Sequence, residues 1–268
     1  MWASGERYEP YMGRWSRLVA DRFLAWLRAP AGCRWVDVGC GTGALSATLL
    51  SVAAPAAVLG VDPSAGYLDH LRGRVRDGRL ELRRGDAAAL PAPTASADHV
   101  VSGLVLNFLP DPRRAVAEWA RVCRPGGTVA GYVWDYAAGM QLIRYFWDAA
   151  AALDPAAAEL DEGRRFLICR PEPLAALFGA AGLVEVETTG LQVPTVFGDF
   201  DDYWGPFLGG QGPAPGYCAG LPAPARQRLR DRLRASLPAD PDGSIPLTAR
   251  AWAVRGLVPD AGKSPSIP

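Results

Sequence analysis

Short apolar runs alternate with amphipathic stretches along the first half of the chain, which predicts strands separated by helices. The first amphipathic stretch starts at Ser16, a suitable helix N-cap, and places Val19, Phe23 and Leu27 on one face. The predicted strands lie near residues 35–38, 57–62, 79–84, 99–103 and 128–134, and the predicted helices near 44–52, 64–76 and 112–123. Such alternation is typical of parallel strands joined by right-handed helical crossovers.

The second half of the chain departs from this rhythm. Residues 140–181 are helical in pattern, alternation from Val184 to Thr188 predicts a sixth strand, and residues 244–255 predict a seventh. The predicted fold class is therefore α/β, with a Rossmann-like, doubly wound and mostly parallel seven-stranded sheet. We expect the last strand to be antiparallel and the C-terminal half to carry a helical insertion or lid.

We predict a single domain over residues 1–258. Its core spans residues 30–135, helical or lid segments span 136–182 and 198–240, the final strands span 183–197 and 244–256, and residues 259–268 form a tail expected to be disordered. The segment 198–240 holds several aromatic residues among prolines and glycines. Two interpretations of it stay open: it covers the active site, or its aromatic rings pack on the edge of the sheet.

A glycine cluster directly follows the first predicted strand. Gly39, Gly41 and Gly43 stand where a side chain would block a ligand from the backbone, and Asp37 lies beside them. Asp62 closes the second predicted strand nineteen residues after Gly43, where an acidic side chain holds the hydroxyls of an adenosine ribose. The pattern predicts a nucleoside-containing cofactor.

The spacing of the glycines bears on the type of cofactor. Dinucleotide folds usually carry Gly-x-Gly-x-x-Gly and place a pyrophosphate at the helix N-terminus. Here the spacing is Gly-x-Gly-x-Gly, and the carboxylate of Asp37 would repel phosphates. A cofactor with an amino-acid end and no phosphate suits this site better.

Five segments in order extend the similarity beyond the glycine loop. They are Val-Asp-Val-Gly-Cys-Gly-Thr-Gly at 36–43, Gly-Val-Asp-Pro-Ser at 60–64, Gly-Asp-Ala-Ala-Ala-Leu-Pro at 85–91, the stretch 98–112, and Arg-Val-Cys-Arg-Pro-Gly-Gly-Thr-Val at 121–129. With them the chain resembles the class I S-adenosylmethionine-dependent methyltransferases, in the type-11 or ubiquinone/menaquinone-methyltransferase-like small-molecule group. The resemblance implies S-adenosyl-L-methionine as cofactor and S-adenosyl-L-homocysteine as product.

The same resemblance implies a set of cofactor-binding residues, among which Asp86 would contact the adenine amino group. The set comprises Tyr11, Arg14, Asp37, Gly39, Cys40, Gly41, Gly43, Asp62, Pro63, Asp86, Ala87, Gly103 and Leu104. Tyr11 and Arg14 belong to a segment, 11–16, that resembles one closing over the cofactor in this group. Asn107 stands where relatives often carry histidine, so no role is transferred to it.

The acceptor is expected to be a small molecule, with Phe108, Trp134 and Tyr136 as candidates to line its pocket. Packing in the core is an equally good interpretation of Trp134. Methyl transfer from a sulfonium needs a positioned nucleophile more than acid–base help. We therefore name no catalytic residue, although Asp135 and Tyr136 are the best-placed candidates for a base. The stretch after the fourth strand lacks the Asn/Asp-Pro-Pro-Tyr/Phe pattern of enzymes that methylate nucleic-acid bases.

Bulk properties agree with an intracellular enzyme. The 28 basic and 28 acidic residues cancel, so no general field favours nucleic acid. The five cysteines form no Cys-x-x-Cys pair, which disfavours a metal site. No signal peptide or membrane span is apparent, so we expect a cytoplasmic protein. We expect it to be a monomer or a homodimer.

Two other functions stay open. An NAD(P)-dependent oxidoreductase shares the strand, glycine turn and ribose acid, but the glycine spacing and the absence of a Tyr-x-x-x-Lys pair disfavour it. A non-catalytic S-adenosylmethionine-binding partner protein would carry the same motifs as the enzyme.

Overall fold

The structure, a computed structural model, describes residues 13–209 and 212–260 and contains one seven-stranded sheet. The strands are β1 (Arg34–Val38), β2 (Ala57–Asp62), β3 (Leu80–Arg84), β4 (Ala97–Gly103), β5 (Cys123–Trp134), β6 (Val184–Phe197) and β7 (Ile245–Leu257). Their order in the sheet is β3-β2-β1-β4-β5-β7-β6. This order confirms the predicted Rossmann-like, doubly wound α/β fold.

The helices fall between the strands, as the alternation predicts. They are α1 (Arg14–Leu27), α2 (Ala44–Val52), α3 (Ala65–Arg74), α4 (Pro112–Val122), α5 (Gln141–Leu153), α6 (Glu162–Arg165), α7 (Pro171–Ala180), α8 (Phe200–Trp204), α9 (Pro213–Gly220) and α10 (Ala223–Ser236). Short 3-10 turns lie at Leu106–Phe108, Pro155–Leu160 and Gly205–Gly209. Among the described residues no helix is both long and apolar enough to cross a bilayer.

Parallel pairing brings the carboxyl ends of the central strands to one edge of the sheet. Asp37 of β1 pairs with Gly60 of β2 on one side and with Val101 of β4 on the other. β7 runs antiparallel to β5, as two hydrogen bonds show. The Gly126 N–H donates to the Val258 carbonyl, and the Asp135 N–H donates to the Arg250 carbonyl, so residue numbers rise along one segment as they fall along the other. The predicted antiparallel last strand is therefore confirmed.

Two local expectations were wrong. Helix α1 begins at Arg14, so Ser16 is not its N-cap; its side chain lies inside the helix and is buried. β5 begins at Cys123 and not at residue 128, because Cys123 already pairs with Ala97. The register then jumps to the pair of His99 and Thr128, so the Pro-Gly-Gly segment forms an irregularity within the strand and not a turn before it.

The chain divides into two compact units. The sheet unit comprises Ala20–Val133, Arg170–Gly190 and the chain from Trp252, and it contains parts of all seven strands. Its core is built from apolar side chains on both faces of the strands, including Phe23, Trp35, Val100, Trp119 and Val129.

Among the described residues, the aromatic unit comprises 13–19, Trp134–Cys169, 191–209 and 212–251. Its core is a run of rings: Phe146 stacks on Phe207 with centroids 4.4 Å apart, and Tyr203 lies 5.4 Å from Phe207. The Tyr203 hydroxyl donates to the Leu142 carbonyl at 3.0 Å, which satisfies its buried polar group. The tail predicted to be disordered lies outside the described residues from position 261 onward.

Candidate functional site

The three glycines after β1 all adopt left-handed backbone conformations, with φ of 71° at Gly39, 53° at Gly41 and 93° at Gly43. A Cβ atom added to Gly39 would lie 2.5 Å from a methyl of Val105, and one added to Gly43 would lie 2.1 Å from a methyl of Leu71. At Gly41 the same atom would meet nothing closer than the Gly39 carbonyl, at 3.9 Å. Two glycines therefore permit close packing, and the third leaves open space beside the backbone.

Asp62, the last residue of β2, is tied to this loop. Its Oδ2 accepts a hydrogen bond from the Gly41 N–H at 3.0 Å, and its Oδ1 accepts one from the Ser64 N–H at 2.8 Å. Burial raises the pKa of this carboxyl above its usual value. Each oxygen keeps a further lone pair, so the carboxylate is oriented to accept from two hydroxyl groups, which fits a ribose.

Asp37 is 1% exposed, and its two carboxyl oxygens differ in their hydrogen bonding. The Ser46 hydroxyl donates to Oδ2 at 2.6 Å, whereas Oδ1 is buried without a hydrogen-bond partner among the described residues. Burial raises the pKa of the Asp37 carboxyl to about 7. An unpaired buried acceptor of this kind suits a ligand that brings a donor or a positive charge.

Asp86 and Ala87 follow directly after β3, next to Asp62. The Gly85 N–H donates to the Asp62 carbonyl at 3.2 Å, and the Ala88 N–H donates to Asp86 Oδ1 at 2.7 Å. The Ala87 carbonyl accepts from the indole N–H of Trp119 at 3.0 Å. The hydrogen bond from Gly85 thereby joins the segment of Asp86 and Ala87 to the end of β2 at Asp62.

Gly103 and Leu104 form the turn after β4. A Cβ at Gly103 would lie 2.5 Å from the Tyr132 hydroxyl oxygen, so only glycine fits. Leu104 has a left-handed φ of 63°, and its N–H donates to the Tyr132 carbonyl at 2.7 Å. A non-glycine residue held in this region is strained and is often found at functional sites. Phe108 follows on the same segment and is 51% exposed.

The remaining predicted residues of the sheet unit lie on or beside the loop. The Cys40 N–H donates to the Val61 carbonyl at 3.1 Å, and burial raises the pKa of its thiol, so it is no nucleophile. Pro63 offers its carbonyl to Arg84 Nε at 3.0 Å. The structure thus brings together the predicted residues of β1, β2 and the turn after β3.

Three predicted residues belong to the aromatic unit. Arg14 lies between the rings of Trp15 and Phe197, at 4.4 and 4.6 Å from their centroids, and donates to Asp202 at 2.9 Å. Trp134 is almost fully buried, and the buried ring of Tyr136 packs against Phe166 at 5.4 Å. Tyr11 lies outside the described residues.

The candidate base Asp135 is already engaged. Its Oδ2 accepts from Arg250 Nε at 2.8 Å and Nη2 at 2.5 Å, and its Oδ1 accepts from the Ala138 N–H at 3.1 Å. Both oxygens of this carboxylate are thus hydrogen-bonded within the protein, so the pair supports the backbone after β5. His99 stacks on Trp35 at 4.3 Å, and burial lowers its pKa to about 4, as expected of a residue that packs in the core.

Ser46 and Glu162 are buried polar residues that no sequence motif indicates. Ser46 contacts Asp37, and only its position nine residues along the chain, in the first turn of the next helix, could have indicated this. Glu162 is 3% exposed and accepts from the indole N–H of Trp147, and burial raises its pKa. No spacing rule links Glu162 to Trp147, because they meet through tertiary packing.

Comparison with known proteins agrees with this site. A family model described as a methyltransferase domain, of type 11, matches residues 36–131, which include the glycine loop, Asp62 and Asp86. The chain is 39% identical over 126 residues to a phosphatidylethanolamine N-methyltransferase of Cereibacter sphaeroides, covering 46% of this chain and 60% of that protein. It is 36% identical over 118 residues to a malonyl-[acyl-carrier protein] O-methyltransferase of Methylococcus capsulatus, covering 42% of each.

The chain spans about half the length of the curated relatives it matches. Among solved structures, phosphoethanolamine N-methyltransferase 2 of Haemonchus contortus in complex with S-adenosyl-L-methionine has a TM-score of 0.57 at 17% identity. That alignment covers 91% of this chain and 52% of the other, and at such an identity it shows the fold. Over residues 36–131 the chain is therefore similar to the class I S-adenosylmethionine-dependent methyltransferases of the type-11 group.

Proposed function

We propose that the protein transfers a methyl group from S-adenosylmethionine to a small-molecule acceptor by direct in-line displacement. The observation that carries this proposal is the Asp62 carboxylate, oriented by the Gly41 and Ser64 N–H groups beside an open stretch of backbone. A carboxylate at the end of the second strand that still has free lone pairs suits the two hydroxyls of a ribose.

The cofactor contacts follow from the chemistry of each group. Asp62 would hold the ribose hydroxyls, Asp86 the adenine amino group, and Asp37 the positively charged amino end. When bound, S-adenosylmethionine supplies a methyl group already activated by the positive sulfur. The buried carboxylates and the absence of phosphate-binding glycine spacing favour this cofactor over a dinucleotide.

The protein's own contribution is orientation. Holding a nucleophile in line with the carbon–sulfur bond contributes on the order of 7–11 kcal/mol relative to reaction in solution. We propose Phe108, Trp134 and Tyr136 as acceptor-binding residues. No residue is assigned as a general base, since Asp135 is bound to Arg250.

The acceptor is proposed at the level of chemical class. Two relatives are named for N-methylation of phosphatidylethanolamine and for O-methylation of malonyl-[acyl-carrier protein]. The element common to these acceptors is a nucleophilic atom, and for this chain oxygen, nitrogen and carbon all stay open. We propose a free small molecule and not a nucleic acid, given the equal numbers of basic and acidic residues.

Calorimetric titration tests the cofactor assignment. The purified protein is titrated with S-adenosylmethionine, S-adenosylhomocysteine and NAD(P)H, alongside Asp62→Ala and the exposed control Asp69→Ala. We expect micromolar binding of both sulfur nucleosides, lost in Asp62→Ala and kept in Asp69→Ala. Binding of NAD(P)H alone would make the protein dehydrogenase-like.

A methylation assay with radiolabelled cofactor and a panel of small amines, alcohols and carboxylic acids tests the reaction. Transfer of label to one member, dependent on Asp62, is the expected result. Tight cofactor binding without transfer to any acceptor would support the non-catalytic binding protein.

A further inference from the structure

The side chain of Asp37 is buried and ionisable, yet the described groups that interact with it include no cation. Ser46 donates to it, and Asp62 and Cys40 interact with it as acidic groups. A carboxylate in such surroundings retains a proton until a positive charge arrives.

Ser46 determines which of the two oxygens is engaged. It lies in the first turn of α2, is fully buried, and places its hydroxyl 2.6 Å from Oδ2. Among the described residues Oδ1 has no hydrogen-bond partner, although burying an acceptor unpaired costs free energy. The serine thus orients the carboxyl group and leaves Oδ1 for an outside donor.

We propose that Ser46 is a positioning residue for Asp37, and that binding of the cofactor's cationic amino end displaces the proton of Asp37 to solvent. This inference rests on the proposed function, because it concerns the same cofactor. The proton balance is simple: the free site holds one proton on the carboxyl, the occupied site holds one ammonium group beside the carboxylate, and the proton passes to the buffer.

The proposal predicts a direction for the pH dependence. Burial raises the pKa of Asp37 to about 7 in the free protein, so the carboxyl is protonated at pH 6 and increasingly ionised above pH 7. Affinity for S-adenosylhomocysteine, which carries the same amino end, should therefore rise about tenfold between pH 6 and pH 7.5. This window stops before the ligand's own amino group begins to lose its proton.

The experiment is isothermal titration calorimetry of the full chain with S-adenosylhomocysteine from pH 5.5 to 7.5. At pH 7 it is repeated in two buffers of different ionisation enthalpy, which counts the protons exchanged. We expect release of roughly half a proton per site at pH 7. Thermal melting of each variant confirms that it is folded.

Three variants separate Ser46 and Asp37 from their surroundings. Asp37→Asn should bind weakly with no pH dependence. Ser46→Ala should keep the dependence but move its midpoint to higher pH, because it loses the hydrogen bond that lowers the Asp37 pKa. Ser51→Ala, an identical change at an exposed serine of the same helix, should match the unaltered protein.

Each outcome bears on the inference. A pH slope that persists in Asp37→Asn would assign the proton to Asp62 and overturn it, and so would an unchanged midpoint in Ser46→Ala. Binding of S-adenosylhomocysteine without proton release would overturn the inference and leave the proposed function intact. Failure of the unaltered protein to bind at any pH would contradict the proposed function itself.

Discussion

Two buried carboxylates of the sheet unit and two of the aromatic unit are held in opposite ways. In the sheet unit, one oxygen of Asp37 has no hydrogen-bond partner within the described part of the chain, and Asp62 is oriented by the N–H groups of Gly41 and Ser64. In the aromatic unit, Asp135 is bound by Arg250 and Asp161 by Arg144, and stacked rings fill the core. A buried polar group without a partner costs free energy, which a ligand can recover by binding to it. A buried carboxylate paired with a guanidinium instead helps to fix the surrounding structure. Asp37 and Asp62 are therefore available to a ligand, whereas Asp135 and Asp161 are already engaged by guanidinium groups.

The largest effect expected from this difference is on stability in the aromatic unit. Phe146 is completely buried and stacks on Phe207 at 4.4 Å. Phe146→Ala should lower the free energy of unfolding by about 3–5 kcal/mol, through lost burial and the cavity left behind. Urea denaturation measures it, with Leu208→Ala, which removes a half-exposed side chain, as the control. A loss under 1 kcal/mol would show that the ring core is dispensable.

The next effect is the pH dependence of stability from Asp37. Its pKa is raised from 3.8 to about 7 on folding, so the folded state binds the proton more tightly than the unfolded state. The stabilisation that this proton gives to the folded state is fully present below pH 4. It is lost as the pH rises to 7, which lowers the free energy of unfolding by up to about 4 kcal/mol. Without ligand, Asp37→Asn should therefore be more stable than the unaltered protein at pH 8.

Thermal or urea denaturation of both proteins at pH 5 and pH 8 measures this. The difference between the two proteins should grow with pH. A variant that is equally destabilised at both values would show that Asp37 is a structural anchor.

Two glycines of one loop provide a matched pair. Gly39→Ala meets Val105 at 2.5 Å and adopts a left-handed φ, so it should cost about 2–4 kcal/mol of stability. Gly41→Ala meets open space and should cost only about 1–2 kcal/mol, from its positive φ. Its main effect should be weaker binding of S-adenosylhomocysteine, by about tenfold or more.

Denaturation and calorimetry of both variants measure the two effects. Equal affinities in Gly41→Ala and the unaltered protein would mean that the open space beside Gly41 is not used by the ligand.

The smallest expected effect concerns the ion pair of Arg14 and Asp202. Both side chains are about one-third exposed, so water weakens their attraction. Asp202→Asn should cost about 0.5–1 kcal/mol, and the cost should shrink in high salt. A urea series at two salt concentrations measures it, and a loss independent of salt would point to the Gly198 N–H bond to the same carboxylate instead.

Much of the sheet unit was predictable from local sequence. The bounds of β2 and α2 agree with the predicted 57–62 and 44–52, because each element is a continuous run ended by glycine, proline or aspartate. β6 spans Val184–Phe197 and agrees with the predicted 183–197, but the alternation that indicates a strand is clear only from Val184 to Thr188. Its later part passes into the aromatic unit, where Pro194 interrupts the run and obscures the signal.

By itself the sequence determined the strand–glycine–helix turn, the carboxylates at the strand ends and the methyltransferase family that these motifs resemble. These features depend on residues that are close along the chain, so their spacing is enough to specify them. Only the tertiary structure decided that Ser46 engages one oxygen of Asp37, that Arg250 neutralises Asp135 and that Trp147 meets Glu162. Those contacts join residues from separate elements, whose side chains come within hydrogen-bonding distance only when the chain folds.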